Sequence, residues 1–224
     1  MQLILIMTLA ATAASVSREA VTLGDGPGLV YVILGDSTTA GVGGTYDLGI
    51  AMSTTRELAR SHRVTMTNLG VSGARIRDVR RLQLANAERL HPDVVLLSVG
   101  ANDVTHLTRI GAMRNDLVDI VTRLRRSNPN VKIVITGSPD MGSLPRIPRI
   151  LRGIATWRTK SVNRMFVPAA KELDLTFAPI AEKTGPLFRT DRSLLADDRF
   201  HPNDRGYATW IPVLNEALNA ALTN

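Results

Sequence analysis

The segment that decides the fold of this chain is Leu29-Val-Tyr-Val-Ile-Leu-Gly-Asp-Ser-Thr-Thr-Ala-Gly-Val-Gly43. It begins with a continuous run of apolar and β-branched residues, the pattern of a parallel strand covered on both faces. The run stops at Gly35, and the residues that follow form a turn presenting Ser37. In open parallel sheets, reactive groups gather beyond the carboxyl ends of the strands. We therefore predict that Ser37 is a nucleophile.

Working outward from this stretch, strand-like runs alternate with helical spacing to the end of the chain. The predicted strands are 29–35, 63–69, 93–99, 131–136 and 175–180. The predicted helices are 49–61, a long helix after Gly73 to about residue 90, 115–126, 154–173 and 202–222. Strands that alternate with helices of ten or more residues predict an α/β layered fold with a mainly parallel sheet of about five strands. Residues 138–153, rich in proline, glycine and methionine, are predicted to form a long loop at the carboxyl edge, a natural place for a lid that faces the substrate.

The composition fits one globular domain of 224 residues with a substantial core. The absence of cysteine excludes disulfides, a thiol nucleophile and cysteine metal sites. A formal charge of +7 would attract anionic surfaces, although a solvated basic face is the simpler interpretation. Aromatic residues make up only 4% of the chain, so few side chains are available to stack on nucleic-acid bases. We therefore expect no nucleic-acid partner.

The first sixteen residues are almost entirely apolar, but the run is short of the ~20 residues that cross a bilayer. Small residues around 11–14 resemble a signal-peptidase site, without the usual preceding basic residue. We predict an export signal or anchor at residues 1–16, with a short docking helix as the alternative. Residues 15–28 look like a polar linker, and residues 29–224 like a single catalytic domain. The protein is thus expected to be exported or membrane-associated; a cytoplasmic location is the alternative.

A serine hydroxyl needs a neighbouring base, and histidine has a suitable pKa. His201 follows Asp198 by three residues in the sequence Asp-Arg-Phe-His-Pro. Because positions i and i+3 of a turn face the same side, Asp198 can bond one ring nitrogen and leave the other for Ser37. Gly73, Asn102 and the amide of Ser37 are candidate donors to an oxyanion.

These residues lie in four blocks, Gly35-Asp-Ser37, Asn68-Leu-Gly-Val-Ser-Gly73, Gly100-Ala-Asn-Asp103 and Asp198-Arg-Phe-His201. Their types and order resemble the SGNH (GDSL-type) hydrolases. The resemblance implies a flavodoxin-like three-layer α/β/α fold and hydrolysis of acyl esters without a metal or cofactor. It implies Ser37 as nucleophile, His201 as base, Asp198 as its orienting partner, and Gly73 and Asn102 as oxyanion donors. Thr38 replaces the family's leucine, which leaves the subfamily open, with the lysophospholipase and acyl-esterase branch as the nearest.

Several residues near these blocks have other interpretations. Ser72 lies in Gly70-Val-Ser-Gly-Ala74, close to the Gly-x-Ser-x-Gly elbow of other hydrolases, but Ala74 replaces the final glycine. Asp36 is more plausible as a residue that ties down the turn than as a catalytic group. His106, after the Asn102 loop, and Met141, in the predicted loop, are candidates to face the substrate. The histidines lack the spacing of a metal site.

The leading function from the sequence is therefore a serine esterase that acts through an acyl-enzyme on a small-molecule substrate, either a short or medium acyl ester or a lipid such as a lysophospholipid. An acyltransferase or a carbohydrate deacetylase would use the same residues with a different acceptor or alcohol. A non-catalytic binding module at a membrane surface is a third possibility, which the intact Ser37, Asp198 and His201 disfavour. The sequence leaves the oligomeric state open.

Overall fold

The computed structural model describes residues 19–223 and contains one six-stranded sheet in that range. The strands are β1 (Val21–Leu23), β2 (Gly28–Gly35), β3 (Arg63–Asn68), β4 (Val94–Ser98), β5 (Lys132–Ile135) and β6 (Thr176–Phe177). Their order across the sheet is β1-β3-β2-β4-β5-β6. Only β1 runs antiparallel to its neighbour, so the prediction of a mainly parallel α/β sheet is confirmed.

The strand order places a crevice beside Ser37. The parallel strands β3-β2-β4-β5-β6 follow the flavodoxin-like order, in which the chain runs from β2 to β3 and then crosses back past β2 to β4. The reversal lies between β2 and β4, whose last residues Gly35 and Ser98 are directly paired. Ser37 follows the first of these strands and Asn102 the second, so the fold itself brings the two blocks together.

Helices cover both faces of the sheet. They are α1 (Ile50–Leu58), α2 (Ile76–Asp78), α3 (Leu84–Arg89), α4 (Ala101–Thr105), α5 (Ile110–Ser127), α6 (Arg152–Glu172), α7 (Ile180–Thr190) and α8 (Asp204–Thr223). Helices α1, α7 and α8 pack together on one side, and α3, α5 and α6 on the other. Every residue of β4 is buried, as are most residues of β2, because helices cover both of their faces.

Two segments differ from their predicted structure. Residues 21–23 form β1 inside the predicted polar linker, because pairing with β3 satisfies their backbone. The strand predicted at 175–180 is only Thr176–Phe177, and α7 begins at Ile180. We did not predict α7 because it contains Gly185 and Pro186, which are poor helix formers. Burial of Ile180, Thr184 and Phe188 on one helical face outweighs that local preference.

Two helix predictions also change in detail. The long helix after Gly73 contains a π-helical turn at Val79–Gln83 between α2 and α3. Helix α8 begins at Asp204 rather than at Pro202, because Pro202 forms a β-bridge with Leu195. The predicted loop 138–153 holds two 3-10 turns, Met141–Ser143 and Arg149–Leu151, and the first of them is buried.

In the part of the chain from 19 to 223, no helix has the length and apolarity to span a bilayer. The predicted export signal or anchor at residues 1–16 lies outside the described residues.

Candidate active site

The structure joins Ser37, His201 and Asp198 in one hydrogen-bonded chain. Ser37 Oγ lies 2.8 Å from His201 Nε2, and His201 Nδ1 lies 2.5 Å from Asp198 Oδ2. With Nδ1 protonated, the ring donates to Asp198 and Nε2 accepts from the serine hydroxyl. This is the tautomer in which Nε2 can remove the serine proton. Ser37 is buried, so its hydroxyl is held at the base of a crevice.

Asp198 is fixed by its own turn. Its Oδ1 accepts hydrogen bonds from the N–H of Phe200 at 2.9 Å and of His201 at 3.0 Å. Partial burial raises the pKa of the Asp198 carboxyl, but the bonds from the His201 ring and the two amides lower it more, so the net pKa lies below its ordinary value. Asp198 is therefore ionised at neutral pH and can hold the imidazole in place.

The turn that carries Ser37 is held by Asp36. Its Oδ1 accepts from the N–H of Thr38 at 2.9 Å and from the Thr38 hydroxyl at 2.8 Å. Complete burial raises the pKa of this carboxyl. These contacts support the structural interpretation of Asp36, and they explain how threonine can replace leucine at position 38. The threonine hydroxyl gives the buried carboxylate a second partner.

Gln83 holds the strand end immediately before this turn, and sequence reasoning missed it. Its side-chain amide accepts from the N–H of Gly35 at 2.9 Å and donates to the Gly35 carbonyl at 2.8 Å. At Gly35 a Cβ would lie 2.4 Å from the Ser98 carbonyl oxygen, so only glycine fits. Gln83 ends the π-helical turn Val79–Gln83, and such turns are frequent at functional sites. The available signal was a glutamine between apolar helix positions.

The Asn102 side chain links the two segments that carry the other candidate oxyanion donors, Gly73 and Ser37. The Asn102 amide donates to the Ala74 carbonyl at 3.1 Å and to Asp36 Oδ2 at 3.4 Å. Gly73 has φ +82°, a conformation that favours glycine, with open space where a side chain would stand. Within residues 19–223, the N–H groups of Ser37 and Gly73 have no hydrogen-bond acceptor. Two backbone donors are thus available for a ligand.

Helix α8 fixes the loop that passes beside His201. The Tyr207 hydroxyl donates to the Val42 carbonyl at 2.6 Å. The Asp204 carboxylate accepts from the N–H of Thr45 at 2.5 Å and from its hydroxyl at 2.9 Å. Gly43, with φ +93°, lets the loop approach so closely that a Cβ there would lie 2.6 Å from the His201 Cβ. Sequence reasoning missed these contacts, since they join residues more than 150 positions apart.

Asp103, the last residue of the Asn102 block, is fully buried and holds the chain near Gly73. Its Oδ2 accepts from the N–H of Ile76 at 3.0 Å. Burial raises the pKa of this carboxyl, although the Ile76 amide works in the opposite direction. This contact ties the start of α4 to the start of α2, so Asp103 has a structural role beside the site.

A narrow cavity of about 30 Å³ adjoins Ser37 and His201. Apolar side chains that shape it include Met141, Leu144, Phe188, Phe200 and Trp210. Met141 thus lines the cavity beside Ser37, and its contact with substrate stays a prediction.

The structure does not place His106 in this cavity. Helix α4 ends at Thr105, and the His106 ring turns back to the Asn102 carbonyl, 2.8 Å from Nδ1, leaving the side chain exposed.

A larger cavity of about 610 Å³ lies between α6 and α7. Asp140, ion-paired with Arg189, borders both cavities. No cluster of three potential metal-ligating side chains occurs among residues 19–223.

With this geometry established, the chain can be assigned to a family. Residues 33–209 match the model of the GDSL-like lipase/acylhydrolase family, and the chain belongs to that family. The match covers all four sequence blocks, including the three residues of the hydrogen-bonded chain.

Known relatives agree with this assignment. A GDSL-like esterase of Mycobacterium tuberculosis is 35% identical over 134 residues, which are 59% of this chain and 42% of the mycobacterial protein. The chain thus matches less than half the length of that relative.

Solved structures share the fold. A psychrotrophic esterase from Pseudoalteromonas sp. has a TM-score of 0.66 at 20% identity, over 87% of this chain and 99% of that one. A family 3 carbohydrate esterase from Clostridium thermocellum has a TM-score of 0.66 at 18% identity, over 88% and 98%.

Proposed function

We propose that the protein is a serine esterase that hydrolyses carboxylic esters through an acyl-enzyme. The observation that carries the proposal is the chain from Ser37 through His201 to Asp198, with contacts of 2.8 and 2.5 Å. Family membership supports it, as does the esterase activity in the name of the mycobacterial relative.

In the first half of the reaction, His201 Nε2 takes the proton from Ser37 Oγ as the oxygen attacks the acyl carbonyl carbon. The tetrahedral intermediate collapses, the bond to the alcohol oxygen breaks, and His201 returns the proton to the departing alcohol. Water then attacks the acyl-enzyme with His201 again as base, and the acid is released from Ser37. Asp198 stays ionised throughout and stabilises the imidazolium.

The oxyanion would receive hydrogen bonds from the N–H groups of Ser37 and Gly73 and from the Asn102 amide. The two backbone groups have no competing acceptor in the described range 19–223. Of the two Asn102 contacts, the 3.4 Å bond to Asp36 is the weaker, so that N–H can turn to the oxyanion at little cost.

The small cavity favours a short acyl group. Its volume of about 30 Å³ leaves room for an acetyl methyl group, whereas a longer chain would have to displace Met141 or Phe200. The same restriction supports a second candidate, removal of acetyl groups from carbohydrate, an activity class named for one structure with this fold. An acyltransferase would use the same acyl-enzyme, with an alcohol in place of water.

We further propose an exported or membrane-associated location. The support is the apolar composition of residues 1–16 and the small residues at 11–14. N-terminal sequencing of protein recovered from the envelope and the culture medium would test it. An intact Met1 on protein found only in the cytoplasm would contradict the proposal.

The decisive experiment is hydrolysis of p-nitrophenyl esters from acetate to palmitate by wild type, Ser37→Ala and Ser72→Ala. Intact-mass labelling with a serine-directed phosphonate runs beside it. We expect acetate to be preferred, with turnover and a single label in wild type and Ser72→Ala and neither in Ser37→Ala. A label lost in Ser72→Ala but kept in Ser37→Ala would overturn the assignment of the nucleophile. Labelling with turnover only when an alcohol acceptor is added would favour the acyltransferase.

A further inference from the structure

The positive charge of this protein is concentrated in one stretch. Residues 141–171, here called the cationic segment, contain seven basic side chains and no aspartate or glutamate. The rest of the chain carries twenty basic and twenty acidic side chains, so the segment accounts for the whole formal charge of +7. The basic residues of the segment are Arg146, Arg149, Arg152, Arg158, Lys160, Arg164 and Lys171.

None of these seven side chains forms an ion pair within residues 19–223. Arg152 and Arg158 donate only to backbone carbonyls, including that of Thr108. Elsewhere many arginines are paired with carboxylates, such as Arg123 with Glu88 at 2.6 Å. The five exposed cations of the segment therefore remain available to an external anion; they are Arg146, Arg149, Lys160, Arg164 and Lys171.

The same segment exposes large apolar side chains. Ile150, Ile154 and Trp157 are 87%, 57% and 62% exposed. They are spaced at i, i+4 and i+7 through the turn Arg149–Leu151 and the start of α6, so they form one outward row. Leu107, also exposed, is brought near this row because Arg158 bonds to the neighbouring Thr108 carbonyl.

This surface adjoins the catalytic cavity. Met141 and Leu144, at the start of the segment, line the cavity, and the Arg146 guanidinium lies over the Phe200 ring at 5.7 Å. Phe200 precedes His201 and lines the cavity as well. A surface bound by the cationic segment would therefore lie close to the entrance of the active site.

We propose that the cationic segment docks on an anionic phospholipid surface, with Ile150, Ile154 and Trp157 inserted between the headgroups. An exposed apolar row beside unpaired arginines and lysines is the arrangement that binds in the plane of a membrane interface. The lipid phosphate groups would pair with the cations of the segment, and the acyl-chain region would bury the three apolar side chains. A nucleic acid would satisfy the charge but would provide no apolar phase for two isoleucines. This inference goes beyond ester hydrolysis and specifies where the enzyme works.

The first test is co-sedimentation of the full chain with vesicles of phosphatidylglycerol and phosphatidylcholine in equal proportions, and of phosphatidylcholine alone. We expect binding to the anionic vesicles only. Arg149→Gln should weaken it roughly fivefold, because a basic residue near an anionic surface contributes about that factor. Ile150→Ser with Ile154→Ser should weaken it about tenfold or more through lost apolar contact. The matched controls, Arg126→Gln and Leu82→Ser, change an exposed cation and an exposed leucine outside the segment and should bind as wild type.

A spectroscopic test reports on the row itself. The chain has two tryptophans, so Trp210→Phe leaves Trp157 as the single indole. Its emission should shift to the blue when anionic vesicles are added, and brominated lipid should quench it.

Unshifted emission, or equal binding by wild type and the segment variants, would overturn the proposal. Such a result would assign membrane binding to another part of the chain. Binding that loses affinity in Arg149→Gln but not in the double isoleucine variant would indicate a polyanion such as nucleic acid. Ser37→Ala should bind vesicles as wild type does, which separates this test from that of the esterase.

Discussion

The carboxyl edge of β2 and β4 and the neighbouring cationic segment use polar groups in opposite ways. At the edge, buried side chains are satisfied from within the protein: Asp36 by Thr38, Asp198 by two amides and His201, and Gln83 by Gly35. In the segment, seven cations have no carboxylate partner among residues 19–223 and three large apolar side chains face outward. The first region is organised before any ligand arrives, and the second depends on a partner.

The difference has a physical basis. A buried polar group costs free energy unless it is hydrogen-bonded, so each contact at the edge stabilises the fold and fixes geometry together. An exposed arginine is solvated in both folded and unfolded states, so its removal changes binding far more than stability. Substitutions at the edge should therefore change stability and catalysis, whereas substitutions in the segment should change binding.

The largest effect is expected at His201, the proposed base. His201→Ala should lower kcat for p-nitrophenyl acetate by roughly 10⁴- to 10⁶-fold, since the His201 ring is the group hydrogen-bonded to Ser37 Oγ. Asp198→Ala should be roughly 10²-fold less severe, because it orients the ring and does not react. His106→Ala, which changes an exposed histidine outside the cavity, is the control and should turn over normally. A large loss in His106→Ala would show that the cavity extends further than the structure indicates.

The next largest loss of activity is expected at Asn102, the proposed side-chain donor to the oxyanion. Asn102→Ala should lower kcat by roughly 10²–10³-fold with a small change in KM, because its amide is needed chiefly in the transition state. Thr105→Ala, which removes a hydroxyl bonded to the Asn102 carbonyl, serves as the control. A loss confined to KM would make Asn102 a binding group instead.

A Gln83 variant tests whether one contact at the carboxyl edge of β2 and β4 supports both stability and catalysis. Gln83→Leu removes the acceptor of the buried Gly35 N–H, while the Gly35 C=O keeps its bond from the Val71 N–H, so the free energy of unfolding should fall by about 1–3 kcal/mol. Because Ser37 is only two residues beyond Gly35, its position should shift as well, and kcat should fall roughly tenfold to 10²-fold with KM nearly unchanged.

The control for Gln83 is Leu124→Ala, a fully buried side chain of α5, whose loss should cost at least as much stability, about 2–5 kcal/mol. Measured on folded protein, its kcat should equal that of wild type. Equal kcat values for both variants would make Gln83 a stabilising residue only.

A smaller effect distinguishes two carboxylates by pH. Burial raises the pKa of the Asp103 carboxyl above its value in the unfolded chain, so the folded protein keeps the carboxyl protonated to a higher pH. The stability of wild type therefore falls as pH rises from the unfolded pKa to the folded pKa of Asp103. Asp103→Asn cannot ionise and should gain stability relative to wild type between acid and neutral pH.

Asp198→Asn is the control of opposite sign. Partial burial raises the Asp198 pKa, but its hydrogen bonds lower it further, to below the ordinary value. The Asp198 carboxylate therefore stabilises wild type at pH values above its unfolded pKa, and this stability is lost as pH falls through its folded pKa. Asp198→Asn should lose stability relative to wild type over the range where Asp103→Asn gains. Urea unfolding at several pH values measures both, and trends of equal sign would contradict the burial argument for Asp103.

The smallest effect belongs to the cationic segment. Arg149→Gln and Ile154→Ser should each change the free energy of unfolding by no more than ~0.5 kcal/mol, because both side chains are exposed. Urea unfolding checks this beside the Gln83 series. A loss above ~2 kcal/mol in either variant would show that the segment is part of the core, and the contrast with the edge would fail.

Much of this protein was readable from residue patterns alone. The long apolar runs that became β2 and β4 predicted a parallel sheet, because continuous apolar runs are typical of strands covered on both faces. Short motifs located Ser37, Asp198 and His201, because the i, i+3 spacing of the last two sets their contact within one turn.

Where local preference opposed the final structure, prediction was wrong. Gly185 and Pro186 argued against a helix, yet α7 forms because it buries Ile180 and Phe188 against neighbouring elements. The strand at residues 21–23 was hidden for a related reason, since three residues carry too little pattern and gain their order from pairing with β3.

Residue patterns alone identified the candidate reacting groups and their order in the chain, with Ser37 just past the end of a strand and Asp198 and His201 in the loop before the last helix. Only the tertiary structure decided the distances, because Ser37 and His201 are 164 residues apart and meet through the strand order and the packing of α8. It also decided which polar residues support the site. Gln83 looks like any glutamine on a helix until folding brings Gly35 against it, because a hydrogen bond across the fold leaves no local pattern in the chain.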